Sequence, residues 1–114
     1  KKDMIKTGGE NVASVKVEAV LLAHPGVAGA GVLGLPHPRW AEAVCAFIVK
    51  KPGAELDEAS LIAHCRQHLG GFEVPKLVHF VDVLPATSTG KVQKHVLRQQ
   101  FAKLAEQAWS GEGG

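Results

Sequence analysis

The sequence predicts an α+β fold: helices covering a small, mostly antiparallel sheet of about three strands, with a two-stranded hairpin at the N-terminal end. Three observations carry this expectation. Apolar residues recur at helical spacing in three segments, and small or β-branched residues fill the segments between them. Gly8-Gly9 separates two short extended runs, the pattern of a hairpin turn. Proline and glycine clusters mark the element boundaries.

The elements follow in order. Residues 4–7 and 11–13 flank Gly8-Gly9 as the hairpin. Ser14 has the side chain of a helix N-cap, and Val17, Val20, Leu21 and His24 then fall at i, i+3, i+4 and i+7. Pro25-Gly26 stops that helix. Residues 27–35 read as a strand ended by Pro36-His37-Pro38, and residues 42–50 as a second, with Val44, Ala46 and Ile48 on one face. Asp57 caps a second helix with the stripe Leu61, Cys65 and Leu69, ended by Gly70-Gly71. Residues 77–83 read as a third long strand. Residues 85–90 are a loop of turn-forming and hydroxyl residues. A last helix starts near Lys94 with the face Leu97, Phe101, Leu104 and Ala108.

Composition bounds the function. A chain of 114 residues makes one domain with one core. Its longest apolar run, around residues 44–49, is far short of the roughly 20 residues that span a bilayer. A net charge of +2, with scattered basic residues and no interleaved aromatics, argues against nucleic acid. Cys45 and Cys65 sit inside apolar patterns and read as reduced core residues of a cytoplasmic protein. His24, His64, His68, His79 and His95 share no ligand spacing, so no metal site is expected, and His37 between two prolines shapes a turn. Trp40 packs across the domain, and Lys50, Lys51 and Arg66 read as a solvated face.

The segment Thr87-Ser88-Thr89-Gly90-Lys91 superficially resembles a phosphate loop. A P-loop needs Gly five residues before its Gly-Lys and Ser or Thr after the Lys; here those positions hold Pro85 and Val92. Two readings stay open on this segment alone. Lys91 is either a solvated lysine on a surface turn or a flexible point charge that reaches into a partner's cleft.

Two separated motifs favour the second. Lys1-Lys2-Asp3-Met4-Ile5-Lys6-Thr7-Gly8-Gly9-Glu10-Asn11 resembles the hinge motif of the adenylate-forming (acyl-activating) enzymes. The second run begins with Pro75-Lys76 and passes through Phe80-Val81-Asp82 to Leu84-Pro85. It continues with Thr89-Gly90-Lys91-Val92-Gln93-Lys94 and Leu97-Arg98, and is similar to the last motif of that superfamily. Between them, Ala23-His24-Pro25-Gly26-Val27 and Gly34-Leu35-Pro36-His37-Pro38 look like the acyl-CoA synthetase version.

The resemblance implies a mobile C-terminal lid over residues 1–109, a tail over 110–114, and a large N-terminal domain that lies outside this sequence and serves as its partner. It implies ATP, with Mg2+ held mainly by that other domain, and coenzyme A, with a fatty or related carboxylic acid as substrate. Lys91 takes the position of the adenylation lysine, with Thr89 and Gly90 beside the nucleotide. Lys2 takes the hinge position, and Gly8, Gly9 and Lys6 the face for thiol attack. The segment Pro85-Ala86-Thr87-Ser88-Thr89-Gly90-Lys91 is also similar to the pattern around lysines that acetyltransferases modify, which would make Lys91 a target for an acetyltransferase and a deacetylase. An aryl-CoA ligase lid, a peptide-synthetase adenylation domain and a non-catalytic binding module are the competing readings.

Overall fold

The computed structural model describes residues 4–110. Strand β1 (Met4–Thr7) and strand β2 (Glu10–Ala13) form the expected hairpin, with Ile5 paired to Val12. Helix α1 (Ser14–Leu22) comes directly after it. Strands β3 (Val27–His37) and β4 (Ala41–Lys50) make a long antiparallel pair. Helix α2 (Glu58–His68), a 3-10 turn (Gly71–Glu73), strand β5 (Leu77–Phe80) and helix α3 (Lys94–Ser110) complete the chain.

The α+β expectation holds, and the hairpin joins the other strands in one five-stranded sheet of order β2-β1-β4-β3. One edge of β4 is filled by β3. The other is shared end to end by β1, which pairs at Ala41, and by β5, which runs parallel over residues 45–48. Strand β4 is thus hydrogen-bonded on both edges and covered on both faces, which is why its sequence is a near-continuous apolar run.

The sheet divides the core in two. Val44, Ala46 and Ile48 face α1 and α2 through Val17, Leu21, Leu61 and Cys65. Ala43, Cys45 and Phe47 face α3 through Leu97, Ala105 and Trp109. Phe47 is fully buried and stacks on Phe101 at 4.8 Å, a contact worth about 0.5–1.5 kcal/mol beyond its burial. The two cysteines lie on opposite faces of the sheet, both free, so they cannot pair.

Five expectations need correction. Ser14 does not cap α1: Ala13 stands at the N-cap with no side-chain bond, and Ser14 is the first helical residue, buried. His24 lies past the end of α1, where its Nδ1 accepts the Gly26 N–H at 3.0 Å. Strand β3 runs through Pro36, because an edge strand has no outer ladder bond for proline to remove. Strand β5 stops at Phe80: the Val81 N–H makes a last bond to the Ile48 carbonyl at 2.9 Å, and Val83 is left 75% exposed. On α3 the inward face keeps Leu97, Phe101 and Leu104 and adds Ala105 and Trp109, while Ala108 faces out. Asp57 does cap α2, in a reciprocal capping box with Ser60 that lowers its pKa.

Candidate functional site: a lysine turn and a glycine hairpin

Lys91 sits on a tight turn. The bridge between Ala86 and Val92 brings the chain back on itself, and the Gly90 N–H donates to the Thr87 carbonyl at 2.9 Å. The Thr87 N–H then donates to the Lys91 carbonyl at 2.8 Å. Gly90 takes φ +88°, a left-handed conformation that disfavours any side chain, although the space around it is open. Thr87 Oγ1 accepts the Lys91 N–H at 3.1 Å and lies 2.9 Å from Thr89 Oγ1, so both threonine hydroxyls are used within the turn. The Lys91 side chain itself is exposed, and among the described residues nothing pairs with its ammonium.

The chain beyond the turn is tied down. Gln93 N–H donates to the Pro85 carbonyl at 2.8 Å. Val92 and Leu97 lie so close to Gly31 of β3 that a Cβ there would meet them at 3.3 and 3.2 Å. Lys94, the first residue of α3, reaches Glu18 of α1 at 2.8 Å. A shallow cleft of about 330 Å³, lined by Thr87, Lys91, Gln93 and His95 among others, adjoins Lys91.

The second group lies at the opposite edge of the sheet. Gly8 and Gly9 take φ +56° and +85°, as a two-residue type I′ hairpin turn requires. Gly8 N–H donates to the Trp40 carbonyl at 3.0 Å. Lys6 is exposed on β1, with its own N–H held by the Glu42 carboxylate at 3.0 Å. The structure therefore places Thr89, Gly90 and Lys91 on one turn and Lys6, Gly8 and Gly9 on another, and does not bring the two groups into one pocket. Lys2 lies outside the described residues.

Three site-forming residues escape the sequence reading. Trp40, Phe72 and Lys76 line a cleft of about 260 Å³ beside Gly8. The Lys76 ammonium lies 5.1 Å over the Trp40 ring, and Phe72 is 43% exposed. Trp40 is fixed from behind: it stacks on His37 at 4.1 Å, whose Nδ1 accepts the N–H groups of Arg39 and Trp40. The available signal is an aromatic in a hydrophilic turn, Arg39-Trp40, and another after Gly70-Gly71.

The pKa shifts lie elsewhere. Burial pushes the Cys45 thiol up to about 12, against a smaller lowering from the Leu35 backbone, and burial also raises Cys65; both are inert at neutral pH. Burial raises the Glu73 carboxyl, but the Lys16 hydrogen bond, the Gly70 N–H and the Lys16 charge outweigh it and hold it below its ordinary value. Among the described residues no three His, Cys, Asp or Glu side chains gather to hold a metal ion, and no helix is long and apolar enough to cross a membrane.

Comparison with known proteins identifies the family and the fold. The family described as AMP-binding enzyme C-terminal domain matches residues 16–91. The chain is 51% identical over 98 residues to a peroxisomal trans-cinnamate:CoA ligase of Petunia hybrida, covering 86% of this chain and 17% of that protein. It is 46% identical over 100 residues to a 3-methylmercaptopropionyl-CoA ligase of Ruegeria pomeroyi, covering 88% of this chain and 19% of the relative. Among solved structures, a Mycobacterium tuberculosis fatty acyl CoA synthetase superposes with a TM-score of 0.85 at 37% identity, over 90% of this chain and 20% of the other. The chain thus spans about a fifth of the length of the relatives it matches. The family model spans residues 16–91 and the relatives cover most of the chain, so the chain belongs to the C-terminal domains of the AMP-binding enzymes.

Proposed function

We propose that this chain is the mobile lid of an ATP-dependent acid–CoA ligase that forms AMP, working with a large N-terminal domain. Lys91 serves the first half-reaction and the Gly8-Gly9 face serves the second. The observation that carries this reading is the Lys91 ammonium, exposed and without a partner among the described residues, on a turn whose own hydrogen bonds are satisfied.

In the first half-reaction a carboxylate oxygen attacks the α-phosphorus of ATP. A new P–O bond forms and the bond to pyrophosphate breaks. Both reactants are anionic, so a cation that bridges them stabilises the charge that builds on the transferring phosphoryl group. At 4 Å and an effective dielectric near 20 such a contact is worth on the order of 4 kcal/mol before desolvation. Thr89 and Gly90 hold the turn that delivers the lysine, and lie against the nucleotide when the lid closes.

In the second half-reaction the lid turns about Lys2 and presents the hairpin. The thiol of coenzyme A attacks the acyl carbon, and AMP leaves. Gly8 and Gly9 present no side chain to the pantetheine arm, and Lys6 lies on the same strand. The neighbouring cleft offers two aromatic faces and a lysine, which suits the adenine and phosphates of coenzyme A.

The acid is set by the partner domain. A fatty or related carboxylic acid is our first assignment. An aryl acid is the second, favoured by the 51% identity to a trans-cinnamate:CoA ligase. The exposure of Lys91 also leaves it open to acetylation, which would remove its charge and stop adenylation; equal adenylation rates for acetylated and deacetylated protein would refute that point.

The test is acid-dependent pyrophosphate release, measured for the intact parent protein and for the isolated domain against a panel of fatty, short-chain and aryl acids. Release by the intact protein alone is expected. Release by the isolated domain, or by neither with any acid, would refute the reading.

A further inference from the structure

A lysine is an unfavourable first residue for a helix, because its charge faces the positive end of the helix dipole. Helix α3 nevertheless begins Lys94-His95 and has no acidic residue in its first turn. The compensation comes from across the sheet. The Lys94 ammonium pairs with Glu18 Oε2 at 2.8 Å and donates to Ser14 Oγ at 2.9 Å, both from α1. Helices α1 and α3 cover opposite faces of the sheet, so this bond passes around the outer edge of β3. Glu18 Oε2 also accepts the Val32 N–H at 2.9 Å, which closes part of that edge.

The pair is largely withdrawn from water: the two side chains are 16% and 18% exposed, and Ser14 is 1% exposed. Buried ion pairs of this kind contribute little net stability, and their best-attested use is to fix register. What this one fixes is the start of α3. Only Val92 and Gln93 separate Lys94 from Lys91, and they pack against Gly31 and bond Pro85. The ion pair is thus the third of three consecutive anchors that follow the Lys91 turn, with no slack residue between them and the lysine.

We propose that Glu18 and Lys94 are positioning residues for Lys91, their ion pair setting where the turn delivers its ammonium. This rests on the assignment of Lys91 to adenylation. It makes a distinction that a merely structural pair would not make: the hairpin face lies at the opposite edge of the sheet, so thioester formation should be indifferent to the pair.

The experiment uses the intact parent enzyme with Glu18→Gln, Lys94→Met, the double variant, Lys94→Arg and Lys91→Ala. Each half-reaction is assayed separately, adenylation from acid and ATP, and thioester formation from supplied acyl-adenylate. Glu18→Gln is isosteric and can still accept the Val32 N–H, so folding is preserved. We expect each single loss of charge to slow adenylation about 10-fold, the scale of a small misplacement. Thioester formation should change less than about twofold, the double variant should be no worse than the worse single one, and Lys94→Arg should recover part of the rate. Equal losses in both half-reactions, with a lowered unfolding temperature, would make the pair structural only and overturn the proposal, as would unchanged adenylation in every Glu18 and Lys94 variant. Normal adenylation by Lys91→Ala would instead bring down the assignment of Lys91 itself.

Discussion

The Glu42 carboxylate accepts the Lys6 N–H at 3.0 Å, and so stands in for a rung of the sheet ladder where β1 and β4 pair only through Thr7 and Ala41. That contact holds the hairpin against the sheet. Room for it comes from Gly34, diagonally across on β3, where an added Cβ would lie 2.8 Å from Glu42 Oε1 and 2.9 Å from Ile5 Cγ2. Gly34→Ala must therefore displace either the carboxylate or a buried core residue. We expect a loss of about 1–3 kcal/mol in denaturant unfolding, the usual cost of overpacking, with faster amide exchange at Lys6. Unchanged stability and exchange would show that the hairpin does not depend on this contact.

Gly8 permits a cleaner probe of the hairpin face. Its φ of +56° is one that asparagine tolerates, and asparagine followed by glycine is a favoured pair for this turn. A Cβ at Gly8 would make only an ordinary contact with Trp40 at 3.7 Å. Gly8→Asn should keep the fold and the adenylation rate, while thioester formation falls about 10-fold or more as the new side chain enters the thiol path. A variant that forms thioester at the normal rate would take the Gly8-Gly9 face out of the second half-reaction.

Glu73 ties the 3-10 turn to α1. Its carboxylate pairs with Lys16 at 2.9 Å and accepts the Gly70 N–H at 2.9 Å. Its pKa is lowered from 4.5 in the folded chain, so the folded state binds this proton less readily than the unfolded state does. Its contribution to stability is then complete above about pH 4.5 and is lost as the pH falls through the lower native value. The stability gap between the native protein and Glu73→Gln should be constant near neutral pH and shrink below about pH 4.5. A gap that persists undiminished in acid would refute the assignment.

The periodicities make most of the fold legible. Val17 and Leu21, Leu61 and Cys65, and Leu97 and Phe101 each mark a face that the core uses. The apolar run of β4 points in sequence to one inward face through Val44, Ala46 and Ile48, whereas both faces are covered, because α3 returns to the side that α1 and α2 leave open. Local rules fail where a distant partner overrides them. Ser14 looks like a cap but spends its hydroxyl on Lys94, 80 residues away. Trp109 and not Ala108 faces inward, because its Nε1 donates to the Pro36 carbonyl at 2.8 Å. The lysine turn and the glycine hairpin are legible because each is contiguous in sequence. The Trp40–Phe72–Lys76 cleft is not, since its members meet only through the packing of the β3–β4 turn beside the 3-10 turn.

The central claim is that Lys91 serves one half-reaction and the hairpin the other. The most direct measurement is Lys91→Ala in the intact parent enzyme, with adenylation and thioester formation assayed separately. Adenylation should fall about 100- to 1000-fold, the scale of a lost cation at a charged transition state, while thioester formation from supplied acyl-adenylate stays near its native rate. Equal loss in both half-reactions, or none in adenylation, would contradict this division of labour.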